Sequence, residues 1–545
     1  LIWWFYDLYF KILKTNIYNI SMDKVYIYDT TLRDGSQSEG VNFSLEDKLL
    51  ITKHLDDFGI DYIEAGWPGS NPKDTFYFEK IKHVSLKHAK IVAFGSTRKK
   101  ALTASSDPQV LSLLKAQTPA ITIFGKSWDY HVLDAINTTL EENLNMIYDT
   151  ISFLKKEGRE VIFDAEHFFD GFKSNKDYAL KTIEVAFDAG ADWVALCDTN
   201  GGTLPFEMIE IFKEVFDRFK NSNIGIHAHN DAECAVANSL IAIKMGCRQV
   251  HGTINGIGER TGNANLCSII PALSLKMGFQ TVPEESLRNL TELARFVSEV
   301  SNVPLPKNMP YVGASAFAHK AGVHASAVSK KTDMYEHIRP ELVGNARKIT
   351  ISDMAGKSNM LYKLKEFGLS VDENSPDVIK LVEHIKNLEK EGYVFEAADA
   401  SLELLLKKHF GIAKDYFELD FYKVEVFSKN HEELSEATVR IKIGDTYQHT
   451  AALGNGPVNA LDNALRKALI DIYPNLESLE LIDYKVRIVN ETEGTSAKVR
   501  VLIESTDGIR TWGTVGVSYN VIDASWKALV DSVSFKLLKD EEENL

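Results

Sequence analysis

The sequence predicts an α/β protein: a (β/α)8 TIM barrel, then a helical linker region, then a small C-terminal α/β domain. Three observations carry this prediction. Short apolar runs alternate with longer helical segments at a beat of roughly thirty residues, and eight such units fit the span of about 250 residues that a (β/α)8 barrel requires. Polar and charged residues gather directly after the apolar runs, on the face where barrels keep their chemistry. Beyond about residue 285 the alternation gives way to mostly helical sequence, and beyond about 415 to alternating strands. A doubly wound sheet is the competing architecture. It is disfavoured because eight units fill a barrel and no early glycine-rich dinucleotide turn is present.

The bounds are consistent with this. A chain of 545 residues is too long for one core and implies several domains. Its net charge of −16 argues against a nucleic-acid partner held by phosphate contacts, while leaving anionic metabolites open. Cys197, Cys234, Cys247 and Cys267 fall at no metal-like spacing and read as buried free thiols in a reducing, cytoplasmic compartment. The opening LIWWFYDLYFKILKTNIYNI is broken by Asp7, Lys11 and Lys14, so it makes a poor membrane span. It lacks a basic start and a small-residue cleavage site, so it makes a poor signal peptide. Met22 directly precedes the first strand, and residues 1–21 are expected to be a non-native or unstructured tail. A short membrane-surface anchor is the alternative for that tail; no membrane partner is expected otherwise.

In chain order, the strands are expected at Val25–Tyr28, Tyr62–Ala65, Ile91–Phe94, Ile121–Phe124, Val161–Phe163, Trp193–Leu196, Ile224–Ile226 extending to His229, and Gln249–Gly252. Helical periodicity marks Leu45–Phe58, Leu140–Lys156, Lys176–Ala189, Phe206–Phe219 and Glu233–Met245. The polar clusters follow the strands: Arg33 and Asp34 after the first, Ser96, Thr97 and Arg98 after the third, and Asp164-Ala165-Glu166-His167 at the fifth. Asp198-Thr199-Asn200 follows the sixth, His227-Ala228-His229-Asn230-Asp231 ends the seventh, and Gly256 to Asn263 follow the eighth. In the C-terminal part, strands at Lys423–Phe427 and Ala437–Ile443 precede a helix after Gly454-Asn455-Gly456-Pro457. Roughly sixty residues later strands at Tyr484–Val489, Lys498–Ile503 and Gly513–Val517 precede a helix from Ile522, a repeat echoed by Asp462…Ala468-Leu469 and Asp523…Ala528-Leu529.

Charges at a buried strand end cost several kcal/mol to desolvate unless paired or bound, so Arg33-Asp34 is either an ion-pair knot or a site. His227 and His229, at i and i+2 of one strand, point the same way and suit a divalent metal. Asp34 and Asn263 can reach the same rim, because strands seven, eight and one are neighbours in a closed barrel. Mixed imidazole and oxygen ligation admits manganese, magnesium or zinc alike. Other residues keep two readings. Glu166 could pair with an arginine, and Arg98 is either a substrate-side charge or an ion-pair partner. His324 could be an ordinary helix histidine, Tyr335 an interface or core residue, and His167 reads as structural.

RDGSQ, HAHND and GIGERTGNAN closely resemble the isopropylmalate, homocitrate and citramalate synthases, within the superfamily that includes hydroxymethylglutaryl-CoA lyase. The resemblance runs from Met22 through essentially the whole chain. AGWPGSNPKD, DAEHFFDGF, LCDTNGGTLP and WGTVGVS resemble most the citramalate synthase type. It implies that Asp34, His227 and His229 bind a divalent metal with Asn263 close by, that Arg33 polarises the keto oxygen of a 2-oxoacid, and that Thr199 holds its carboxylate. It also implies that Glu166 and His324 move protons at the acetyl-CoA methyl, with Tyr335 beside them. His324 and Tyr335 would come from the linker of a second copy, making a homodimer with shared sites. The implied reaction is a Claisen-type condensation of acetyl-CoA with pyruvate, or with 2-oxoisovalerate for an isopropylmalate synthase, followed by hydrolysis to free CoA.

The implied domains are 22–285 catalytic barrel, 286–411 helical linker, and 412–545 a regulatory domain binding an allosteric amino acid, by resemblance isoleucine. The backbone amides of the Gly454–Pro457 turn could hold its carboxylate.

Overall fold

A computed structural model of the protein describes residues 23–319, 334–349, 357–369, 371, 375–395, 398–429, 432–489 and 497–543. The expected N-terminal tail and His324 lie outside the described residues. Eight parallel strands close into a barrel: β1 (Tyr26–Asp29), β2 (Tyr62–Gly66), β3 (Lys90–Ser96), β4 (Ala120–Lys126), β5 (Glu160–Glu166), β6 (Trp193–Asp198), β7 (Ile224–Ala228) and β8 (Gln249–Gly252). β8 pairs with both β7 and β1, so the ends of strands seven, eight and one are neighbours. The seventh strand is shorter than expected. It stops at Ala228, and His229 is held by an isolated bridge to Asn263 in the loop after β8.

Alternation along the strands sorts two populations of side chains. Ile27, Ile63, Ile121, Phe163, Leu196 and Ile226 point outward into the main core against the helices. Tyr28, Tyr62, Val92, Ala120, Ile162 and Trp193 point inward and form a separate apolar plug. Two positions further along, the inward residues change character: Glu64 follows Tyr62, Thr122 follows Ala120, and Asp164 follows Ile162. The helices are locally well specified. Leu45–Phe58, for example, opens on a capping box in which Ser44 Oγ accepts from the Asp47 N–H and Asp47 accepts from the Ser44 N–H. It ends at Gly59, whose φ of 93° demands a residue without a Cβ.

The chain divides into two compact units, one running through Phe317 with Ile338–Ala346, the other comprising Ala318–His337 and Arg347–Leu545. The core of the first unit continues past residue 285, because Leu290, Leu293, Ala294 and Val297 of one helix are buried in it. The second unit begins with a short parallel pair, β9 (Ala318–His319) and β10 (Lys348–Ile349), followed by helices Lys357–Glu366, Pro376–Glu391 and Asp399–His409.

Two three-stranded antiparallel sheets then follow, each ending in a helix. β11 (Glu418–Lys429), β12 (Glu432–Ile443) and β13 (Thr446–Gly454) lead to Pro457–Leu469. β14 (Glu480–Ile488), β15 (Val499–Thr506) and β16 (Thr511–Ser518) lead to Val521–Glu543. The expected duplication is therefore present, but its register differs from the Asp462/Asp523 echo. Val439 pairs with Thr450 as Ile503 pairs with Thr514, a shift of 64 in both partners. Thr450 Oγ1 donates to the Ala464 carbonyl and Thr514 Oγ1 to the Ala528 carbonyl, at 2.7 and 2.8 Å. The first strands carry bulges at matching places, between Leu419 and Phe421 and between Leu481 and Asp483. Short side-chain echoes gave the wrong offset because packing, and not identity, was kept.

In the second unit burial raises the Asp531 carboxyl to about 6, against the opposing effect of the Ser401 hydroxyl that donates to it at 2.6 Å. A raised carboxyl favours the folded state fully below its ordinary value, and that contribution is lost as pH rises through about 6. Asp531→Asn should therefore raise the melting temperature at pH 7.5, by an amount equivalent to about 1–2 kcal/mol, and change it little at pH 4.5. Thermal melts at the two pH values check this; an equal effect at both would refute it.

Candidate active site

A cavity of about 230 Å³ at the C-terminal mouth of the barrel is lined by Arg33, Asp34, Glu166, Thr199, His227 and His229, together with Gln37, Cys197 and Arg260. Asp34 leaves β1 at the head of a short turn, Gly35–Gln37. His227 lies in β7 and His229 just beyond it. The barrel closure brings these together: His227 Nε2 lies 3.2 Å and His229 Nε2 3.8 Å from the same Asp34 oxygen, with the two Nε2 atoms 3.4 Å apart. All three residues are buried, and one donor atom from each lies within 4.8 Å of the others. Asn263 is buried beside His229, and its Oδ1 has no hydrogen-bond partner among the described residues.

This donor set fits a divalent cation. Two imidazole Nε2 atoms, 3.4 Å from each other and both aimed at one carboxylate oxygen, converge as the ligands of a single cation do, and one cation would engage all three at once. Mixed nitrogen and oxygen donors are compatible with manganese, magnesium or zinc. Burial pulls the His229 imidazole down to about 4, with His227 adding to the effect, so it presents a neutral nitrogen near pH 7. Burial pushes the Asp34 carboxyl up, but the Arg33 guanidinium and the hydrogen bond from His227 outweigh it and hold the group below the usual carboxylate range.

Arg33 is both halves of the alternative posed by the sequence. Its Nε donates to Glu64 Oε1 at 2.6 Å, its Nη1 is 3.5 Å from Asp34, and its guanidinium carbon sits 3.8 Å from the centre of the Phe94 ring. Glu64 is fully buried and also accepts from the Tyr28 hydroxyl at 2.5 Å and the Thr30 hydroxyl at 3.0 Å. The guanidinium is therefore fixed from beneath while the residue still lines the cavity. The ion-pair knot aims the site.

The other expected residues divide. Thr199, after β6, accepts the His167 N–H at 2.9 Å on its hydroxyl oxygen, which leaves its own hydroxyl proton to donate. Glu166, at the end of β5, pairs with Lys126 at the end of β4, so its partner is a lysine where an arginine was considered. Arg98 is an ion-pair partner, bound to Asp149 at 2.7 Å and to Glu142 at 2.8 Å. His167 is buried, its ring Nδ1 lies 3.3 Å from Asp170, and its backbone N–H donates to Thr199. Tyr335 belongs to the second unit and is 46% exposed. Of the cysteines, Cys197, Cys247 and Cys267 are buried, but Cys234 is only half-buried because it stands at the open end of a helix.

Sequence reasoning passed over Glu64, His251 and Lys126, and it placed Asp164 in the polar cluster at the fifth strand without giving it a role. Asp164, raised to about 7 by burial, stands with His227 and His251 in a second close group of donors beneath the first. The signal was available: each of Glu64, Asp164 and His251 is a polar side chain at an inward-alternating position of an apolar strand. The surrounding loops are strained. His167, Glu233, Asn255 and Arg260, all beyond strand ends on this face, have φ near +60°. Arg260 ties the loop after β8 across the mouth, gripping Asp231 at 2.8 and 2.9 Å and the Thr199 carbonyl at 2.8 Å. Gly262, with φ of 98°, lets that loop fold back, since a Cβ there would meet the Gly256 carbonyl oxygen at 2.0 Å.

Residues 24–297 match the HMGL-like family, 311–393 the homocitrate synthase post-HMGL domain-like family, and 396–537 the LeuA allosteric (dimerisation) domain. A protein of Aquifex aeolicus named (R)-citramalate synthase is 67% identical over 96% of this chain and 99% of its own length. One of Geobacter sulfurreducens with the same name is 53% identical over 96% and 99%. A 2-isopropylmalate synthase of Methanocaldococcus jannaschii is more distant, 33% identical over 98% of each. The chain belongs to the isopropylmalate, homocitrate and citramalate synthase family. It is thereby an enzyme of the acetyl-CoA-condensing type, with candidate residues for the divalent metal on which the HMGL-like family depends. Among the described residues no helix is long and apolar enough to cross a membrane.

Removing Glu64 would break the buried ion pair that anchors Arg33 and leave only the longer 3.5 Å contact with Asp34, at a cost of about 3–5 kcal/mol. Glu64→Ala should lower the stability of the barrel by that amount in a chemical melt followed by barrel tryptophan fluorescence; an unshifted midpoint would rule out the ion pair as a structural anchor.

Proposed function

We propose that the chain is an (R)-citramalate synthase that condenses acetyl-CoA with pyruvate and hydrolyses the thioester to give citramalate and CoA, working in the cytoplasm in isoleucine biosynthesis. The observation that carries this reading is the meeting in one buried cavity of the Asp34, His227 and His229 donors with the fixed Arg33 guanidinium. The near full-length similarity to proteins named (R)-citramalate synthase supports pyruvate over 2-oxoisovalerate as the acceptor.

Asp34, His227 and His229 would hold the divalent ion, with Asn263 adjacent; when bound, it supplies a Lewis acid that polarises the ketone of the acceptor. Arg33 meets the negative charge that develops on the keto oxygen as the new carbon–carbon bond forms, where a preorganised donor contributes most. The Thr199 hydroxyl donates to the acceptor carboxylate. Glu166, facing the cavity with Lys126 beside it, takes part in moving the methyl proton of acetyl-CoA. By resemblance His324 and Tyr335 serve the same step from a second copy of the chain, so that turnover needs a homodimer. Water then cleaves the thioester, which makes the reaction irreversible.

Residues 22–285 would house the chemistry, 286–411 the linker that completes the site of the second copy, and 412–545 a regulatory domain answering to an amino acid, isoleucine by resemblance.

A CoA-release assay with a panel of 2-oxoacids tests the reading. Pyruvate should be preferred over 2-oxoisovalerate and 2-oxoglutarate, and Arg33→Ala should lower kcat by about a hundred- to a thousandfold. No release with any acceptor, metal supplied, would sink the proposal; preference for 2-oxoisovalerate would replace it with an isopropylmalate synthase.

A further inference from the structure

A cavity of about 640 Å³ opens in the second unit, walled by the helices Pro376–Glu391, Asp399–His409 and Val521–Glu543 and by β16. Its lining is largely apolar. Phe395, Leu404, Val515 and Trp526 are buried, and the Tyr393 ring stacks beside Phe395 with centres 6.0 Å apart. The volume suits a small organic molecule. Neither the Gly454–Pro457 turn nor any residue of β11 to β13 lines it, so it is separate from any carboxylate held by that turn.

Into this apolar wall the chain sets a single carboxylate. Asp531 Oδ2 accepts from the Ser401 hydroxyl at 2.6 Å, and Ser401 Oγ in turn accepts from the Val515 N–H at 3.0 Å. Those bonds fix the carboxylate and leave its charge in place. Among the described residues no lysine, arginine or histidine forms an ion pair with it. The basic residues of the lining are engaged elsewhere or lie on the outside: Lys408 pairs with Asp415 at 2.7 Å, Lys527 pairs with Asp523 at 2.9 Å, and His384 and His409 are exposed. Burial raises the carboxyl to about 6, so it is ionised in most molecules at pH 7.5. Keeping an acid at a site where the amide is more stable at that pH is a cost that function accounts for.

The charge balance selects the ligand. An ionised carboxylate without a counter-ion, beside aromatic rings, suits an ammonium group, which gains a charge-assisted hydrogen bond and ring faces together. An anionic end is not matched, because both lysines of the lining already serve carboxylates. We propose that this cavity is a binding site for a primary amine on a compact apolar body, its ammonium on Asp531 and its hydrocarbon against Leu404, Val515 and Trp526. The proposal is independent of the chemistry assigned to the barrel cavity.

Calorimetry on the full-length chain tests it, with isopentylamine and phenethylamine as probes and isopentanol, isovalerate and isoleucine as controls. The amines should bind at pH 7.5 at least about tenfold more tightly than the alcohol or the acid. Asp531→Asn should weaken amine binding by roughly tenfold or more, while CoA release without amine stays unchanged. In the wild-type chain amine affinity should fall by roughly tenfold between pH 7.5 and pH 5, as Asp531 takes up its proton. Lys408, Lys527, His384, His409 and Tyr393 also face the cavity, so the same pH series is run on Asp531→Asn, where the fall should vanish. Failure of both amines to bind, amine binding unaltered in Asp531→Asn, or a pH dependence that survives the substitution would each overturn the proposal. Displacement of the amine by isoleucine would overturn the exclusion of an anionic end, and with it the ligand class.

Discussion

The Arg33–Glu64 contact is the interaction on which the site depends. A guanidinium placed at a barrel mouth has two futures: it can wave in solvent, or it can be anchored and kept charged. Glu64 supplies the anchor from within the barrel and is itself held by the Tyr28 and Thr30 hydroxyls, so the charge is fixed from below by groups with no route to solvent. That anchored cation keeps Asp34 ionised in spite of its burial, and an ionised Asp34 faces the two imidazoles. Each member of the chain is costly alone and tolerable only in company. The apolar plug beneath, built on Tyr62, Ile162 and Trp193, excludes water from the far side and gives the polar layer one open face.

Much of this was legible in the sequence, and the reasons are specific. Barrel strands alternate, and the outward Ile, Val and Phe residues announce themselves as short apolar runs. The chemistry sits immediately after those runs, so Arg33, Asp34 and the His227-x-His229 pair could be named from position, whereas Thr199 was singled out only by the family resemblance. What could not be read was the depth of the polar layer. Glu64 and His251 lie inside strands short enough to be scored as simply apolar, and only closure of β8 onto β1 shows that their side chains share one interior. Lys126 was missed for a related reason: the expected fourth strand stopped at Phe124, two residues short of it. The C-terminal repeat shows the opposite failure. Its existence followed from the order of strands and helices, but its register did not, because the kept features are the pairing of Val439 with Thr450 and of Ile503 with Thr514 and the threonine-to-helix bonds, which few identities mark.

The loops on the chemical face are the strained part of the molecule, and the strain has visible supports. His167 in a left-handed conformation presents its N–H to Thr199, and Arg260, likewise left-handed, clamps the Thr199 carbonyl and Asp231. Thr199 is thus set from two sides by loops that follow different strands. Such convergence of several strand ends on one small volume is what lets a barrel hold a metal-type donor set, a fixed cation and the Glu166 carboxylate around about 230 Å³.

The central claim is that the buried carboxylate and imidazoles at the barrel mouth are built for a divalent ion and, through it and Arg33, for a 2-oxoacid. Calorimetric titration of manganese into the metal-stripped protein, followed by pyruvate, tests it most directly. The account predicts one tight ion per chain, pyruvate binding that requires the ion, and loss of both, by at least about a hundredfold, in Asp34→Asn and His227→Ala. Manganese affinity unaffected by either substitution would contradict it.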